Sequence, residues 1–247
     1  MRRAESGGLL AMNLRRVFTR KLFYIMLAVS AVMPVLILVM TTAVGGTDGS
    51  GGMFTSVWQA IGSADSGMTM DLTTMCNINL LYFLAAVPAC LFTADDFRSG
   101  SCKNIFAIRE KKTDYVSAKI AVSFITGALM LLCWFAGAML GGRIAGLSFA
   151  MEGFTAWNLL LCMLSKILLM AIFAAIYVLM GVIAKQRAWL SILLSFTVGM
   201  FMFMVIPMMS PLSAGLMNLV MCLAGGVLFS AAIGCAGSLV LRRTDIL

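Results

Sequence analysis

Sixteen of the eighteen Lys and Arg residues fall in short segments that alternate with long apolar runs. The basic clusters are Arg2, Arg3, Arg15, Arg16, Arg20 and Lys21; Arg98, Lys103, Arg109, Lys111, Lys112 and Lys119; Lys185 and Arg187; Arg242 and Arg243. If the apolar runs cross a membrane, every second connection carries these clusters, and all of them share one side. Lys and Arg are retained on the cytoplasmic side because translocating them is unfavourable. The alternation therefore predicts an all-α membrane protein of six spans, with both chain ends in the cytoplasm.

Composition supports this. Hydrophobic residues make up 62% of the chain and charged residues 11%, against about 25% charged in soluble domains. Too little polar surface remains to coat a globule, so lipid must cover much of it. The net charge of +8 sits in short loops that suit anionic headgroups, and no nucleic-acid partner is expected.

The spans fall at about 23–44, 72–93, 119–140, 157–184, 188–209 and 216–241, in a single transmembrane domain over 1–247. The first run exceeds the about 7–15 residues of a signal-peptide apolar region and is read as an uncleaved span. The outer loop 45–71 is rich in Gly and Ser, with Val57 and Trp58 placed to touch the membrane interface.

Enzyme chemistry has little to stand on. The chain has no His, its seven Cys include no CxxC pair, and no predicted span carries a central Asp or Glu. Asp95 and Asp96 are adjacent, so on a helix they do not face each other. No G-x-x-x-x-G-K-[ST] loop is present to cradle nucleotide phosphates.

Four features invite a functional reading. The segment 9–21 is an amphipathic helix: Leu10, Leu14, Val17 and Phe18 take one face, and Asn13, Arg16 and Arg20 take the other, toward lipid phosphates. The loop 99–112 predicts a short helix, capped by Ser99 or Ser101, that shows Ile105, Phe106 and Ile108 among charges. Those apolar residues fit either a docking site for a partner protein or a dip into the membrane interface. Lys166 lies inside span 4 and either snorkels to the outer interface, which the length of that span favours, or lines a substrate path. Met200 and Met204 on span 5 suit adaptable packing or a forgiving wall for a greasy substrate better than a copper site. In addition, Gly226, Ser230, Gly234 and Ser238 recur every four residues on span 6, where small residues let helices approach closely.

The stretch from Asp95-Asp96-Phe97-Arg98-Ser99-Gly100-Ser101 through Lys103-Asn104-Ile105, followed by Tyr115 and Lys119, resembles the inner loop of bacterial ABC-2 type permeases. Asn13 to Tyr24 resembles the elbow helix and first span of that family. The resemblance covers essentially the whole chain, and small permeases of lantibiotic or peptide self-protection look nearest. It implies an exporter subunit of the bacterial cytoplasmic membrane with a second permease subunit, homo- or heterodimeric, and two cytosolic ATPase subunits. This chain would bind no cofactor; ATP and Mg would be used by the partner ATPase. The cargo would be an amphipathic peptide, lipid or drug, and the chain itself no enzyme. Carried over by residue, Gly100, Ser101, Lys103, Asn104, Ile105, Phe106 and Ile108 would form the helix that couples to the ATPase. Many such exporters have reentrant helices between spans 5 and 6, whereas this sequence leaves only a few residues there. A non-transporting scaffold or sensor subunit is the alternative reading.

Overall fold

In the computed structural model the described residues are 2–45, 54–62, 73, 76–108, 112–203 and 205–243, without the side chains of 2–7, 45, 103, 104, 107 and 108. Ten α-helices are present among them, and no strand beyond an isolated bridge between Ser56 and Ser148. In chain order the helices are α1 (Arg2–Phe18), α2 (Lys21–Gly45), α3 (Leu80–Leu84), α4 (Ala86–Arg98) and α5 (Ser101–Ile108). They continue with α6 (Lys112–Ala145), α7 (Ala156–Ala184), α8 (Ala188–Phe203), α9 (Val205–Met209) and α10 (Leu216–Arg243).

Five stretches are long and apolar enough to cross a membrane: Lys21–Val44, Leu80–Arg98, Lys112–Ala145, Ala156–Ala184 and Leu216–Arg243. A spanning helix needs about 20 apolar residues, so the 16 residues of α8 fall short alone. The described part of this fifth run continues as α9 on the other side of residue 204. The second run becomes continuously helical later than its hydropathy suggests. Residues 76–79 form a turn in which the Asn79 amide donates to Asn77 Oδ1, 2.9 Å away. Such a local side-chain bond competes with the helix.

α7 lies at the centre and packs against α4, α6, α8 and α10, while α2 lies along α6. Close approach has an identifiable cause: a Cβ on Gly137 of α6 would strike the Ala31 carbonyl of α2. Many side chains on α2 and α10 instead face outward, among them Ile25, Leu36, Leu223 and Phe229. In water such a surface would aggregate; in a bilayer it meets lipid.

The basic ends of the helices gather at one end of the bundle. At the opposite end, residues 54–62 fold inward instead of lying on the interface. Val57 and Trp58 are buried, against the expectation from the sequence. Trp58 Nε1 donates to the Ala150 carbonyl (3.1 Å), and Trp134 Nε1 donates to the Ala60 carbonyl (3.1 Å). Indole N–H groups bury readily once such partners exist.

Candidate functional site

At the basic end, four helices meet on one buried carboxylate. Asp96, in the last turn of α4, is fully enclosed. Its Oδ2 lies 2.6 Å from Lys119 Nζ on α6, also fully enclosed, and its Oδ1 lies 2.9 Å from an Arg16 guanidinium nitrogen on α1. The Tyr115 hydroxyl donates to Asp96 Oδ2 (3.1 Å) and accepts from Cys102 Sγ on α5 (3.5 Å). Beside this centre Arg20 pairs with Asp95. The Phe92 ring lies under Lys119 at 3.2 Å, with Arg16 and Arg20 at 5.8 and 5.6 Å.

Buried charges persist only when paired and hydrogen-bonded, and cation–π contact adds to that here. Removing one partner of such a pair typically costs about 3–5 kcal/mol. The cluster therefore fastens α1, α4, α5 and α6 into one junction. Burial pushes the Cys102 thiol up to about 11, so it stays protonated near neutrality and acts as a donor, not a nucleophile.

The short helix α5 is held in place by its inward side. Cys102 is buried, and Ile105 and Phe106 are half-buried against a cluster that includes Tyr115, Val116, Val178 and Leu241. Phe106 meets Tyr115 edge-on at 5.4 Å. The expected display of Ile105 and Phe106 on a charged surface is thus replaced by packing onto the bundle. The side chains of Lys103, Asn104 and Ile108 lie outside the described residues. Gly100 turns the chain between α4 and α5 with φ +70°, a left-handed conformation that glycine adopts freely. Ser101 opens α5, and its hydroxyl lies 2.8 Å from that of Ser99. Two further bonds brace this end: Arg98 Nε to the Gln186 carbonyl (2.9 Å) and Lys112 Nζ to the Leu241 carbonyl (2.9 Å).

In α1 the faces differ from the amphipathic reading. Asn13 is buried rather than turned to headgroups, and Arg16 and Arg20 reach into the junction. Leu10 and Leu14 pack beside Val17, Phe23 and Phe92. Phe18 is partly exposed and meets Phe23 edge-on at 4.9 Å. The cause is distant: the carboxylates that recruit the arginines come from α4.

Lys166 does not snorkel. It is fully buried on α7, and its ammonium donates to Asn79 Oδ1 (3.0 Å) and Ser210 Oγ (3.1 Å). Its carbonyl accepts from the Tyr82 hydroxyl (2.7 Å), and the Tyr177 hydroxyl donates to the Tyr82 carbonyl. This knot ties α7 to α3 and to the turn after α9. Met200 faces outward on α8, away from the enclosed Lys166, and Met204 lies outside the described residues. On α10, Gly226 packs closely, since a Cβ there would sit 3.0 Å from the Leu168 carbonyl. Ser230, Gly234 and Ser238 instead line an open groove.

These features define a multi-pass, all-helical membrane protein whose densest polar chemistry is a structural junction at one end of the bundle. Residues 14–202, well over half of the chain, match the family described as ABC-2 family transporter protein, and the chain belongs to that family. Members are transmembrane permease components of ABC systems, in which an ATPase partner is implied. No curated protein and no solved structure matches the chain.

Proposed function

We propose that this chain is a permease subunit of an ABC exporter in a bacterial cytoplasmic membrane, with its basic end in the cytoplasm and six spans. A second permease subunit, identical or different, completes the membrane path. Two cytosolic ATPase subunits bind and hydrolyse MgATP. The cargo is an amphipathic molecule, with peptides of the lantibiotic kind as the first class to test.

The observation that carries this reading is the linkage from α5 to α1. A push on α5 meets Cys102, then Tyr115, then Asp96, and arrives at Arg16 and Lys119. A helix tied this way moves with α1, α4 and α6 rather than folding over alone. An ATPase groove that grips α5 would thereby drive the elbow helix α1 together with the second and third spans. The groove would meet the side of α5 opposite Cys102, because Cys102 faces the bundle.

The test is affinity purification of the tagged chain in mild detergent, with mass spectrometry of its companions. A soluble ATPase carrying a G-x-x-x-x-G-K-[ST] loop is expected, and a second permease in the eluate would make the complex a heterodimer. Phe106→Asp is expected to lose the ATPase while Phe106→Leu keeps it, with both chains still in the membrane fraction. Purification of the chain alone under conditions that preserve such complexes would contradict the proposal.

A further inference from the structure

A groove of about 480 Å³ runs along the outside of the bundle between α6, α7 and α10. Val116, Ile120 and Phe124 form one wall, and Ala231, Cys235 and Ser238 form the other. It is open on its outward side, where Ala231 and Cys235 are exposed. The hydroxyls of Ser230 and Ser238 are satisfied within α10, donating to the carbonyls of Val227 (3.2 Å) and Cys235 (2.8 Å). The lining therefore asks for an apolar occupant.

Its length fits one leaflet. From Thr113 to Phe124, and from Val227 to Ser238, each wall rises about 16 Å. One leaflet contributes about 15 Å of hydrocarbon. Its mouth is at the basic end, where the start of α6 and the end of α10 are joined by the bond from Lys112 to the Leu241 carbonyl. Arg242 follows Ser238 by four residues and so continues the same face of α10, with Arg243 beside it; both are exposed. Asp114, half-buried in the first turn of α6, is the carboxylate that the described ends of α6 and α10 carry at this mouth. Among the described residues, three cations thus stand against one carboxylate at the mouth. A rule that keeps positive charge in the cytoplasm accounts for their sign, but not for a leaflet-deep slot beneath them.

We propose that this groove is a binding site for an anionic phospholipid of the cytoplasmic leaflet. One acyl chain lies between α6 and α10, and the phosphate rests on Lys112, Arg242 and Arg243. The proposal goes beyond the transport reading and needs only that the chain lies in a bilayer.

The chain is reconstituted with equal amounts of phosphatidylglycerol and phosphatidylcholine, released in mild detergent, and the retained lipid is identified by native mass spectrometry. Phosphatidylglycerol should be retained over phosphatidylcholine by about fivefold or more, the scale expected of one basic contact at a membrane surface. Replacing both Arg242 and Arg243 by Gln should lower the ratio by about fivefold or more, with lipid still bound. Ala231→Leu should lower retention of both lipids, since its added atoms enter only the groove. Cys235→Leu serves the same purpose should Ala231→Leu fail to purify as a single species. Equal retention by the unaltered chain would overturn the proposal, as would a filled groove that keeps the preference. A disulfide between Cys235 residues of two copies that expels lipid would show a protein interface instead, and would overturn it too.

Discussion

Among the described residues two lysines are wholly buried in this bundle, one toward each end, and they are satisfied in different ways. Lys119 faces a carboxylate at 2.6 Å, with an arginine, a tyrosine and a phenylalanine ring around it. Lys166 faces only neutral oxygens of Asn79 and Ser210 among the described residues. The first arrangement unites four helices through charges that must stay paired. The second clamps α7 to a turn with two hydrogen bonds, and no other charge depends on it. The junction around Lys119 is the part suited to passing motion between helices, and the knot around Lys166 the part suited to holding the far end shut.

Substitutions should separate the two. The largest effect is expected from Asp96→Ala, which strands Lys119 in the interior. Thermal or denaturant unfolding in detergent should show a loss of about 3–5 kcal/mol. The paired change Asp96→Asn with Lys119→Met removes both charges together, and should cost less than the sum of the two single changes by at least about 1 kcal/mol. Additive losses would mean that the junction is not a unit. At the other lysine, Lys166→Met should cost about 1–3 kcal/mol, the scale of leaving Asn79 and Ser210 short of a donor. A larger loss there than at Asp96 would reverse the ranking of the two sites. The smallest effect belongs to Arg20→Gln. Its pair with Asp95 is about one-third exposed on each side, so stability should fall by no more than about 1 kcal/mol, and less in high salt.

The same contrast explains what was legible in the sequence. Apolar runs and flanking charges depend on local composition, so the long helices stand close to where hydropathy puts them. The bounds of α7 were equally readable, whereas the sequence predicts the short helix over 99–112 and α5 runs Ser101–Ile108 among the described residues. Faces were another matter. The pattern of α1 gives its helix but not its orientation, because Arg16 and Arg20 answer to Asp95 and Asp96, roughly eighty residues away in sequence. Asp96 and Lys119 looked like ordinary loop and boundary charges. Their burial becomes visible only when α4 and α6 are laid side by side, although opposite charges just inside two adjoining span ends were a usable signal. Lys166 reads as a snorkelling residue until Asn79 and Ser210 come to it from two separate segments. Val57 and Trp58 sit in a Gly- and Ser-rich loop whose composition gives no hint of a buried turn.

The central claim is that α5 acts on α1 through the Tyr115 hydroxyl and Asp96. Tyr115→Phe removes that hydroxyl while keeping the ring that meets Phe106. The decisive measurement is the distance between site-specific labels at Thr19 and Gln186, both exposed, in the complex with its ATPase, before and after ATP is added. The unaltered complex should show an ATP-driven change in that distance. The Tyr115→Phe complex should assemble normally and lose the change. An equal change in both complexes would contradict the account, and so would a label at Thr19 that never moves.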